Sequence, residues 1–211
     1  MASDAVHIDW TYRGKPDFLA GTGATRAERA LAWAAGLLGA GLYAYFFLKG
    51  SYAWAWWQYA LAAILAFDVA GGVVANSLNS CKRFYHTPPL PDEPRAAFFF
   101  KNHLFFTALH LHPLVIALVF DGWLAFGLFW YAALLVAARI VLKTPLYLQR
   151  PTAFLLILLA LLINAYGIAP VPGFEWFIPA LFLKIIYGHL VREEPYRPAQ
   201  RPSAATPAPG R

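Results

Sequence analysis

Asp68, His103, His110 and Lys184 lie inside stretches of chain that are otherwise almost wholly apolar. Carboxylate, imidazole and amine are the groups that move protons in catalysis. His86 and His189 stand at the ends of such stretches. Neutral imidazole with carboxylate is also a ligand set for zinc or iron, and an open coordination position would activate water. The candidate ligands are His86, His103, His110, His189 and Asp68, with zinc or iron as the cofactor to seek. His103 and His110 are about 10.5 Å apart along a helix axis by the helical rise. A single ion would therefore combine one of them with Asp68, His86 or His189. Asn76, Asn79, Ser80 and Thr107 are the candidate substrate-binding groups. The chain holds no HExxH pair on one helix.

These residues stand out because of what surrounds them. Of 211 residues, 60% are hydrophobic and 13% charged, about half the charged share of a soluble domain. Eight Trp contribute to an aromatic content of 17%. Several of them (Trp54, Trp56, Trp57, Trp123 and Trp176) flank apolar runs, where amphipathic rings settle at a bilayer interface. The net charge of +6 does not indicate nucleic acid, because the basic residues occupy the connections between apolar runs. With Cys81 alone, no internal disulfide can form.

The elements that must position the polar groups are six apolar runs, at about 30–48, 54–80, 97–120, 123–142, 152–169 and 175–191. Each is close to the roughly 17 to 25 residues that cross a hydrocarbon core. The fold class expected is all-α, a polytopic membrane bundle of about six helices. Fifteen of the 17 Lys and Arg fall in the N-terminal segment, in or beside the second and fourth connections (Lys101 and Arg139 near the ends of adjoining runs), and in the C-terminal tail. Positive residues mark the cytoplasmic side, so both termini are expected there, in a bacterial cytoplasmic (inner) membrane. The first apolar run follows a polar segment of mixed charge and is expected to act as its own insertion signal.

Residues 1–29 read as a polar cytoplasmic segment, 30–191 as the transmembrane domain, and 192–211 as a disordered cytoplasmic tail. Asp121-Gly122 predicts a tight turn between antiparallel helices. No span is expected to be interrupted midway. At about 100° per residue, Asp68, Gly72 and Asn79 share one stripe of the second span, and His103, Thr107 and His110 share one of the third. His112 then points to the opposite face, where it would satisfy backbone freed by Pro113.

Charged groups at membrane depth are costly and mark function by default. Asp68, His103 and His110 would act as ligands or acid–base groups, with His86 and His189 closing the site from below. Lys184 would meet a phosphate or carboxylate of an amphiphile. The leading reading is a membrane enzyme acting on a lipid-like substrate. A non-catalytic accessory or assembly subunit bound to other membrane subunits is the main alternative. Proton-coupled transport and haem or quinone binding are the others. The bilayer is the one partner all these readings share.

Overall fold

The computed structural model describes residues 6–50 and 52–198. These residues are mostly helical, with a single two-stranded sheet. Four helices are long and apolar enough to cross a membrane: α1 (Arg26–Lys49), α2 (Trp56–Ala75), α7 (Leu124–Lys143), and α8 (Leu146–Leu162) with its π-helical extension Ile163–Gly167. Two shorter apolar helical stretches, His103–Val119 and Phe177–His189, complete the set.

Thr25 starts α1 with a capping box: its hydroxyl accepts from Glu28 N (3.1 Å), and the Glu28 carboxylate accepts from Thr25 N (2.8 Å). Small residues let α1 and α2 approach closely. A Cβ added at Gly71 would sit 3.3 Å from the Gly36 Cα, and one at Gly39 would collide with Ala70. The outward faces stay apolar, with Leu37 and Leu38 on α1 and Leu155 and Leu158 on α8 all exposed. The core gathers Leu65 and Val69 of α2, Ile116 of α6 (His112–Val119), Trp130 and Leu134 of α7, and Ile178 and Leu181 of α9 (Phe177–Phe182).

Three features depart from the sequence expectation. The run at 54–80 is not one helix. After α2 the chain turns extended at Leu78 (φ −66°, ψ 145°), and a separate helix, α3 (Asn79–Tyr85), begins. The Asp68 stripe therefore stops short of Asn79. The third run is interrupted: α5 (His103–Ala108) and α6 are separated by residues 109–111. Pro113 sits in the first turn of α6 and has no N–H to donate back along the chain, so a continuous helix through this point loses a hydrogen bond. Finally, α9 continues as a π-helical segment, Leu183–His189. In an α-helix Lys184 and His189 would lie well apart around the axis, whereas the wider i→i+5 turn brings both inward. Each is at least 96% buried.

The expected hairpin is present: Asp121 takes a positive φ of 54° between α6 and α7. At Gly122 a side chain would meet the Ala117 Cα at 2.8 Å.

A polar cap closes one end of the bundle. Ser80 Oγ donates to Ala20 O (2.5 Å) and Tyr85 OH to Phe18 O (2.7 Å), tying α3 to the N-terminal segment. Lys82 Nζ donates to Gly188 O (2.5 Å) and Val191 O (2.8 Å), satisfying carbonyls at the end of the last helix. Burial lowers the Lys82 amine to about 8. Lys101, at the end of α4 (Arg95–Phe100), pairs with Glu93 at 2.8 Å and bonds to the Tyr12 hydroxyl. Burial pushes that hydroxyl up to about 12.

The reading of the chain from 192 onward as disordered is corrected for its first residues. Strand β2 (Tyr196–Pro198) pairs antiparallel with β1 (Val6–Ile8), and Arg197 Nε reaches Asp9 Oδ2 at 2.5 Å. Those backbone bonds and the ion pair give this short stretch partners that composition alone does not reveal. Residues 199–211 lie outside the described residues.

Candidate functional site

Five of the six histidines converge, together with Asp68 and Lys184. They form two groups on either side of Phe106. In the first group, Lys184 Nζ reaches Asp68 Oδ2 at 2.6 Å, and His112 Nε2 reaches the same oxygen at 3.0 Å. An ionised carboxylate only accepts, so Nε2 of His112 carries the proton. Nδ1 of His112 is buried without a partner among the described residues. Asn76 Nδ2 donates to Lys184 O (3.1 Å) and pins the π-helical segment against α2.

Gly72 gives Lys184 its room: a Cβ there would collide with the lysine's Cε and lie 2.6 Å from its Cδ. His110 stacks on His112 with centroids 5.3 Å apart, and its Nδ1 bonds to Phe106 O at 2.8 Å. A carbonyl only accepts, so in the neutral ring Nδ1 is protonated and Nε2 carries the lone pair.

The second group is His86, His103 and His189. His103 Nδ1 lies 3.0 Å from His189 Nε2, and His86 Nε2 donates to His189 O (2.9 Å). Burial, then the nearby His103 and Lys82, hold His86 well below the usual imidazole range, so it is neutral. Phe106 stacks on His189 at 3.9 Å and meets His110 at a tilt of 50° with centroids 5.0 Å apart, bridging the two groups.

Beside the first group is a cavity of about 410 Å³. Phe18, Trp33, Phe67, Phe100, Phe106 and Leu109 line its apolar part, and Asp68, Asn76, His110 and Lys184 form its polar wall. The size is in the range of small-molecule sites, as is the ratio of many apolar to few polar groups. The Asp68 side chain is 45% exposed, whereas Lys184 behind it is 5% exposed.

The sequence-derived candidates divide accordingly. Asp68, Asn76, His110 and Lys184 meet at the cavity, and His86, His103 and His189 form the neighbouring cluster. Thr107 Oγ1 is bonded to His103 O (2.8 Å) and Ser80 Oγ to Ala20 O, while Asn79 Oδ1 accepts from Tyr196 N (3.1 Å). Those three are engaged with backbone and lie away from the cavity wall. The expectation that His112 faces away is corrected, because the break at residues 109–111 turns it onto Asp68. The sequence signal that could have found it is Pro113, which follows it directly and ends the preceding helix.

As a metal centre the arrangement does not fit. Among the described residues, no three His, Cys, Asp or Glu side chains are placed to hold one ion. The nearest ring nitrogens, on His103 and His189, face each other as a hydrogen-bonded pair, and His86 turns its Nε2 to a carbonyl. A haem between His110 and His189 has no space, because the Phe106 ring lies between them, in contact with both imidazoles. What the groups can do is accept and pass protons next to an apolar chamber. Compared with known proteins, the chain matches no family model, and it shows no significant similarity to a curated protein or a solved structure.

Proposed function

We propose that the chain is an integral membrane enzyme acting on a lipid-like substrate, with six spans and both termini cytoplasmic. The observation that carries this reading is the apolar cavity ending on Asp68, Lys184 and His110. An acyl chain suits the aromatic lining, and burying it supplies about 25 cal/mol per Å² of apolar surface. The polar end of the molecule then meets His110 Nε2, a base whose tautomer is set by the Phe106 carbonyl. His110 takes a proton from a hydroxyl or a water, and Asp68, braced by Lys184 and His112, orients the reacting group. The concentration of basic residues in the connections that hold the polar cap supports its cytoplasmic placement.

The test is the lipid composition of membranes carrying wild type, Asp68→Asn or His110→Phe at equal expression, read by mass spectrometry. A lipid species that rises or falls with wild type and reverts in both variants is the expected result. Identical profiles in all three would sink the enzyme reading.

A second reading, proton-coupled transport, is favoured by the interruption at residues 109–111 beside Asp68. Broken helices often frame transport sites. It expects proteoliposomes under a pH gradient to show solute-dependent proton uptake that is lost in Asp68→Asn.

A further inference from the structure

Resting on the lipid reading, we infer that the cavity takes a neutral amphiphile headed by a hydroxyl, such as a monoacylglycerol or a long-chain alcohol. It does not take a fatty-acid or phosphate-headed anion. The first argument is charge. Lys184, the one lysine or arginine among the described residues that line the cavity, is already neutralised by Asp68 at 2.6 Å, and His112 donates to the same oxygen. The pair is built in, because Gly72 leaves the space in which the lysine stem lies. An anionic head would add an uncompensated negative charge beside Asp68 in an apolar chamber, which is costly. An ammonium head would meet Lys184.

The second argument is the pattern of unused hydrogen-bonding groups. Asp68 Oδ1 and Asn76 Oδ1 have no partner among the described residues, and both residues line the cavity. Nε2 of His110 is in the same position, since Nδ1 holds that ring's hydrogen bond. All three atoms accept. The remaining donors are Lys184 Nζ, whose bond to Asp68 uses one of its three hydrogens, and the second N–H of Asn76 Nδ2, whose other N–H goes to Lys184 O. A hydroxyl donates one bond and accepts another at a single atom, so it meets Asp68 Oδ1 or His110 Nε2 while accepting from Lys184. A carboxylate or phosphate monoester dianion can only accept and leaves the wall's three acceptors unsatisfied.

The experiment uses the full chain in phosphatidylcholine nanodiscs and compares retention of monopalmitoylglycerol, palmitate and palmitoyl lysophosphatidate by native mass spectrometry. Monopalmitoylglycerol is expected to bind about tenfold or more tightly than either anion. His110→Phe keeps the ring stacking but removes the acceptor, so it should cut that preference several-fold. Asp68→Ala should abolish the preference if the variant folds, and the His110 variant carries the test if it does not. Palmitate or the lysophosphatidate binding as well or better overturns the inference while leaving lipid binding intact. If no probe binds saturably, the lipid reading fails and the inference falls with it.

Discussion

At the scale of single residues, the site depends on a glycine as much as on its charges. Gly72 lets the Lys184 stem lie flat, and any Cβ there collides with it. Gly72→Ala should cost about 1–3 kcal/mol in unfolding measurements, as overpacking does. Lys184→Met removes the ammonium and with it the pull toward Asp68, so the flexible thioether can swing away from the added methyl. The two substitutions should couple by roughly 1 kcal/mol or more in a double-mutant cycle. Strict additivity would show that Gly72 does not make the space for Lys184.

Lys82 gives a pH prediction at the same scale. Its buried amine is held at about 8, below the usual 10.5. Between those values the unfolded chain binds more protons than the folded one, so stability rises with pH across that window. The wild-type melting midpoint should therefore climb relative to Lys82→Met from about pH 8 toward pH 10. A constant difference would mean that the folded amine is not desolvated. The residue types of the site were legible in the sequence, since Asp68, His110 and Lys184 interrupt apolar runs. Their partners were not, because which side chains meet depends on helix rotation. His112 shows this best: continuous periodicity turns it away from His110, and one break turns it back.

At the scale of elements, the breaks create the site. The six apolar runs could be read because burying or embedding a helix requires continuous apolarity over its length. The breaks inside the runs left little trace in that pattern, because a π turn or a short non-helical stretch can be as apolar as the helix it interrupts. Leu109 and Leu111 are an example, and so are Leu183 and Ile185. Pro113 signals one of the breaks chemically, and Asn102, which caps α5, signals the one after α4. Pro113→Ala restores the missing N–H and lets α5 and α6 join, which rotates His112 off Asp68. The variant should keep or raise its melting midpoint while, on the proposed enzyme reading, the Asp68-dependent lipid change falls about tenfold or more, as misplacing a positioning contact does. Unchanged activity in Pro113→Ala would mean that the His112–Asp68 contact plays no part.

At the scale of the whole molecule, the long helices and the short ones divide the labour. The stretches His103–Val119 and Phe177–His189 carry His103, His110, His112, Lys184 and His189, and each falls within 10–17 residues. At about 1.5 Å per residue they reach at most about 26 Å, short of a hydrocarbon core of about 30 Å. On the membrane reading the four long helices supply the hydrophobic belt, and the short ones hold the polar groups where protein rather than lipid surrounds them. Whether the short stretches cross at all can be decided with two cysteines in a Cys81→Ala background, since Cys81 is itself buried. Arg95 and Pro172 are both exposed, and between them lie His103–Val119, α7 and α8. If all three cross, Arg95→Cys and Pro172→Cys are on opposite sides of the membrane. If only the two long helices cross, they are on the same side. A membrane-impermeant maleimide applied to intact cells should label Pro172→Cys at once and Arg95→Cys only after permeabilisation. Labelling of both without permeabilisation would make His103–Val119 a re-entrant element, with its histidines entering and leaving on one face. The opposite pattern, Arg95→Cys first, would keep the six crossings but invert the orientation that the basic residues imply.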